Sequence, residues 1–179
     1  MEFEQFKDIV EVVSRYFERE VTAVNVEDKD IKLRTGFFVE FTKDGFAKEI
    51  IFSKKEGEPL FNAKELEIIR KRNGTFLKNV GYDDSEMLLL IMGIIHEFGH
   101  MAYYDIVQKH DFDLQYRFLR DMTGKYIRTA WAKEKYEKAR SESGDDLIYM
   151  SRADEMYCDG FAKDHFIPII KLIEEKGLL

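Results

Sequence analysis

Hydrophobic positions in the early part of the chain change period, and each change marks an expected element. Phe3, Phe6, Val10, Val13 and Phe17 fall three or four apart, which predicts an amphipathic helix over residues 2–20 with that stripe in the core. Val21 to Val26 reads as a short strand. From Ile31 the period drops to two, with Ile31, Leu33, Phe37, Val39 and Phe41 alternating with mostly polar neighbours. Asp44-Gly45 then supplies a hairpin turn before a returning strand from Phe46 to Ser53. A two-residue loop pairs Val39 with Ile50 and Phe37 with Phe52 but sets Glu40 against Glu49; a three-residue loop sets Glu40 opposite Lys48. The pattern admits both registers.

The rest of the chain reads as helix. After a polar loop from Lys54 to Pro59, Asn62 and Glu65 form a capping-box start for a helix ending near Gly74, and residues 75–83 read as irregular. Asp84 or Ser85 can cap the next helix, whose first part, Met87 to Ile95, is apolar without a break. A helix apolar nearly all round is a buried one, and this run falls well short of the ~20 residues that span a bilayer. It is expected to continue to about Lys109. Helical patterns follow near 112–121 and 125–141, split by Thr123-Gly124, then a loop from Ser141 to Asp146 and a helix from about Ser151 to His165. Pro168 marks a break or a restart before a last helix over 169–176. The fold class expected is α+β, predominantly helical: an N-terminal helix, a small antiparallel sheet, and helices to the end.

Composition narrows the classes. The 179 residues suit one domain with a substantial core, with the helix and sheet in 1–83 and helices in 84–179. Hydrophobic residues at 45% and charged ones at 35% describe a globular, water-soluble chain with no membrane association. A net charge of −7 without a basic cluster argues against nucleic acid as a partner. The single cysteine, Cys158, excludes an internal disulfide framework, and Met1-Glu2-Phe3-Glu4 has no signal-like character, so a cytoplasmic location is expected.

The chemistry is carried by His96-Glu97-Phe98-Gly99-His100. Two histidines four apart on a helix put both imidazoles on one face, within reach of a single zinc ion. Glu97 then stands beside the metal rather than on it, where a general base for metal-activated water belongs. Leu89, Gly93 and Tyr104 share this face. Gly93 costs about 1 kcal/mol relative to alanine in a helix, which points either to a substrate or strand passing close by or to tight core packing. Gly99, on the flank, reads as helix–sheet packing.

A catalytic zinc site takes three protein ligands. One class of such enzymes continues the motif with a glycine and a third histidine, but Tyr103 and Ile106 occupy those positions here. Downstream, Glu155 and Asp159 stand four apart on one helical face that small Ala162 extends. One carboxylate can bind zinc while the other accepts the outer N–H of a ligand histidine. A charge such as Glu155 can equally be solvated, and Cys158 reads as a packed small apolar side chain.

His96-Glu97-Phe98-Gly99-His100 followed by Glu155-x-x-x-Asp159 resembles the gluzincin class of zinc metallopeptidases. The stretch Glu155-x-x-Cys158-Asp159-x-Phe161-Ala162 is similar to the small intracellular members, the minigluzincins and ImmA/IrrE-like peptidases. Cys158 stands where an alanine is usual in them. The resemblance covers residues 84–165 and implies a single zincin-like domain, with the sheet packed on a buried metal helix. It implies His96, His100 and Glu155 as zinc ligands, Asp159 as the residue orienting His96, and Glu97 as the base.

The expected activity is zinc-dependent hydrolysis of a peptide or protein substrate. The oxygen of the attacked carbonyl needs a further donor, for which Tyr149 and His165 are candidates; Tyr157 points about 160° away from Glu155. His110 and His165 can also be ordinary surface or core histidines. The substrate is expected to add as a strand to the edge formed by residues 46–53, unless the helix at 63–73 covers that strand. The rival expectation is a zinc-binding regulatory or interaction protein that keeps the fold and cleaves nothing.

Overall fold

The stripe of the N-terminal segment folds as α1, Phe3–Tyr16, shorter than its periodicity suggested. Phe6, Val10 and Val13 are fully buried as expected, together with Ile9 and Val12. The helix stops because the chain reverses: Glu18 takes a positive φ of 49°, and Arg19 N–H bonds back to the Ser14 carbonyl at 2.9 Å. The Ser14 hydroxyl receives Val21 N–H at 3.1 Å and so ties the helix end to the following strand. The computed structural model describes residues 1–25, 36–39, 49–54, 59–109 and 153–179. The Asp44-Gly45 turn, Ile31, Leu33, His110, the helices expected at 112–121 and 125–141, the loop after them and Tyr149 lie outside these residues.

Three strands follow: β1, Thr22–Asn25; β2, Gly36–Val39; and β3, Glu49–Ser53. β2 and β3 pair antiparallel with Phe37 opposite Phe52 and Val39 opposite Ile50, the register of the shorter of the two loops considered. The sheet as a whole is mixed, not antiparallel, because β1 pairs parallel to β3, with Thr22 opposite Glu49. A parallel neighbour is reached by a crossover and carries no turn signal, so the hairpin pattern could not announce it. The order β1-β3-β2 also overturns the expectation of β3 as an edge: it is the central strand, with a neighbour on each side. Ile50, Ile51, Phe52 and Ser53 are all buried. The helix found against this sheet is α1, with the Phe6 and Phe52 ring centroids 4.7 Å apart.

Asn62 opens α2, Ala63–Asn79, through the expected capping box: its side chain accepts from Lys64 and Glu65 N–H, and Glu65 accepts from Asn62 N–H. The helix does not end near Gly74 but runs a further turn, where Leu77 is buried and Phe76 meets Phe166 edge-on at 5.9 Å. Burying one large apolar side chain is worth about 1.5–3 kcal/mol, more than the roughly 1 kcal/mol that a helical glycine costs. The true stop is Gly81, whose φ of 87° lets Tyr82 N–H reach the Leu77 carbonyl at 2.9 Å.

Two long helices complete the described chain: α3, Glu86–Lys109, and α4, Ala153–Glu175. The break or restart expected at Pro168 does not occur, since α4 continues through it. Proline removes one N–H and is exposed here, while Phe166, Ile169, Ile170 and Ile173 are buried, so packing holds the helix across the lost bond. Among the described residues the fold is predominantly helical with a small sheet, and no helix is long and apolar enough to cross a membrane.

The chain groups into two compact units, Met1–Glu97 with Ala162–Leu179, and Phe98–Phe161. The first holds the sheet, α1, α2 and a core that includes Phe6, Ile50, Phe52, Leu77, Leu89 and Phe166. In the second, the Tyr157 ring stacks on Phe161 at 6.1 Å and meets Tyr103 at a tilt, with centroids 5.2 Å apart.

Candidate metal centre

The start of α3 is set by its polar flank: Asp83 accepts Ser85 N–H at 3.0 Å, and Leu89 N–H closes the first turn on the Ser85 carbonyl at 3.1 Å. Residues 88–92 with Ile94 and Ile95 are then buried on every side, as the unbroken apolar run requires. A helix so enclosed delivers His96 half-buried and, one turn on, His100 at 6% exposure. Glu97 is half-buried beside the first histidine.

The face of α4 that carries Glu155 is buried too. Glu155 is 2% exposed, whereas Met156, next in the chain, is 62% exposed, so burial belongs to the helix face and not to the segment. The solvated reading of Glu155 is thereby overturned. Its Oε1 stands 3.6 Å from Nε2 of His100. That is longer than the 2.7–3.2 Å of a good hydrogen bond, and close to the roughly 3.3 Å that separates two donors bound at ~2.0–2.1 Å to one tetrahedral ion.

Cys158, one turn further on α4, is fully buried. Its donor atom lies within 4.8 Å of a donor nitrogen of His100, and His96 stands one turn before His100 on α3. Gly99 explains how the cysteine comes so near: a Cβ on Gly99 would stand 3.0 Å from Cys158 Cα and 3.2 Å from its Cβ. The glycine expected to serve helix–sheet packing therefore serves a helix–helix contact, α3 against α4.

Comparison of the chain with protein-family models, curated proteins and solved structures finds no match.

The donor set itself therefore carries the chemistry. Two imidazoles with a thiolate or a carboxylate are the ligands zinc takes, and three of them on two helices leave room for a fourth. Spacing marked Glu155 as a candidate donor and the structure sets it against His100, but the donor group found there holds Cys158, read from the sequence as a small packed side chain, and not Glu155. The missed signal is that residues 155 and 158, three apart on one helix, lie about 60° apart around its axis and share a face. Asp159, one turn from Glu155, is half-buried. Burial, and then neighbouring Cys158, push the Tyr157 phenol up from its ordinary value. The structure gives His165 other neighbours: its Nδ1 shares a 3.1 Å hydrogen bond with the Tyr16 hydroxyl, and Phe17 meets it edge-on.

Proposed function

We propose that this chain is a zinc-dependent peptidase of the gluzincin type, with a zincin-like fold in which α4 donates the third ligand. One observation supports the reading above the rest: a carboxylate, Glu155, buried against the second histidine of a His-Glu-x-x-His helix. Burying a carboxylate costs several kcal/mol unless it is well paired, and a divalent cation shared with the imidazole is a strong partner for it.

His96, His100 and Glu155 would hold a zinc ion, which would supply Lewis-acid activation of the scissile carbonyl and of the attacking water. Glu97 would take a proton from the attacking water and deliver it to the leaving amine, a role worth about 10²–10⁴ in rate. Asp159 orients His96 by accepting its outer N–H and so fixes the tautomer that binds. Tyr149 and His165 are the candidate donors to the carbonyl oxygen. The substrate class is an extended peptide or unfolded protein segment, and a chain with a single cysteine suits a reducing, cytoplasmic setting.

The test is incubation of the zinc-loaded chain with an unfolded protein mixture, with fragments identified by mass spectrometry. Cleavage that a chelator abolishes and zinc restores is expected. Stoichiometric zinc without cleavage would instead support a non-catalytic zinc-binding regulatory or interaction protein. Buried Cys158 favours that second reading, because structural zinc sites are closed by four protein donors.

A further inference from the structure

The α4 side of the centre carries two donors where a three-ligand site needs one. Glu155 and Cys158 lie three apart on one buried helix face, the first 3.6 Å from His100 Nε2. The second has its sulfur within 4.8 Å of a donor nitrogen of His100, with His96 one turn earlier on the same helix. The approach is built by a missing side chain: without a Cβ on Gly99, the α4 backbone at Cys158 comes against α3 one residue before His100. Charge points the same way. A divalent ion held by two neutral imidazoles and one carboxylate keeps a net positive charge in a buried site, whereas a thiolate beside the carboxylate leaves it neutral.

We infer that Cys158 is itself a metal ligand, and that His96, His100, Glu155 and Cys158 together close the coordination shell. The consequence rests on the peptidase reading: water and substrate reach the metal only when the Cys158 thiolate has left it, so the resting protein is latent. The ligand assignment does not rest on that reading and is tested apart from it.

The chain has one cysteine, so thiolate-to-cobalt charge transfer in the near ultraviolet reports residue 158 alone. Titration with cobalt(II) is expected to give this band, saturating at one equivalent, and X-ray absorption of the zinc form to show one sulfur at ~2.3 Å. Cys158→Ala should abolish the band, keep the helical circular dichroism, and lower zinc affinity by more than the roughly 10–100-fold that an outer-shell partner is worth. At saturating zinc the same variant should cleave unfolded protein faster than the parent chain. Cobalt bound at one equivalent with no charge-transfer band, and zinc with no sulfur neighbour, would overturn the assignment even if peptides are cut. A full band with no cleavage by either protein would keep the ligand and overturn the peptidase. If Cys158→Ala does not fold, the two spectra of the parent chain decide. No metal uptake at all overturns both.

Discussion

His100 and Glu155 meet with 3.6 Å between Nε2 and Oε1, each almost entirely withdrawn from solvent. Such a pair is held together better by an ion between its members than by a long hydrogen bond. Glu155→Gln keeps the shape and removes the charge, and we expect it to lower zinc affinity by more than about 100-fold. Competition with a chromophoric chelator measures this. Zinc should also raise the melting temperature of the parent chain, since an ion present at a thousand times its Kd adds about 4 kcal/mol to the folded state. Unaltered affinity in the variant would leave the α4 side of the site to Cys158.

Glu97→Gln separates binding from chemistry. As a base that is not a ligand, Glu97 should be replaceable with full retention of zinc and a loss of about 10²–10⁴ in cleavage rate. Metal content and rate, measured on one preparation, decide the matter; joint loss of both would make Glu97 structural. Asp159→Asn should be milder, weakening zinc about 10–100-fold.

Two helical glycines should respond with opposite signs. At Gly160 a methyl group meets nothing within 4 Å, so Gly160→Ala should stabilise by about 0.5–1 kcal/mol through helix propensity. At Gly99 the same methyl meets the Cα of Cys158 at 3.0 Å, and backbone cannot swing aside. Overpacking there costs about 1–3 kcal/mol and outweighs the propensity gain, so Gly99→Ala should melt lower and bind zinc more weakly. Denaturant unfolding with and without zinc measures both. A neutral Gly99→Ala would show that the two helices yield easily.

Tyr82 gives a prediction at alkaline pH. Its phenol is raised above the ordinary value of 10.0 by burial first, and then by Glu174, which lies beside it and accepts its hydrogen bond. The folded chain thus holds this proton more tightly than the unfolded chain does. Its stabilisation is complete below pH ~10 and is lost as pH rises from there through the folded value. Tyr82→Phe keeps the edge-on ring against Phe166 and should flatten this part of the stability curve. An unchanged alkaline slope in the variant would assign the titration elsewhere.

The residues that revealed most in the sequence were those whose neighbours in space are neighbours along the chain. Asn62 and Glu65 cap each other across one turn, and His96 and His100 share a helix face, while the hairpin pattern left two registers open, of which the structure shows the one pairing Phe37 with Phe52. The misses are of another kind. The parallel partner of β3, the run of α2 past Gly74, the passage of α4 through Pro168 and the contact of Gly99 with Cys158 all depend on what a distant segment brings. Local rules charge a proline or glycine its penalty, and only the buried partners on other elements show that the penalty is offset. Glu155 stood between the two kinds, since spacing marked it as a donor and burial was needed to take it out of solvent.

The placement of β3 between an antiparallel and a parallel neighbour carries a consequence for how the sheet is made. Val39 finds Ile50 along a short stretch of chain, whereas Thr22 finds Glu49 only across the whole of residues 23–48. The longer closure costs about 0.8 kcal/mol more in chain entropy, and a parallel ladder returns slightly less per residue. α1 reduces that handicap, since Ser14 holds Val21 and so carries β1 in with the helix. The hairpin should therefore form in the folding transition state before β1 is added. Truncations at Ile50 and Phe52 should slow refolding, while Val24→Ala in β1 should mainly speed unfolding. Equal effects on both rates from both strands would show that the sheet condenses all at once.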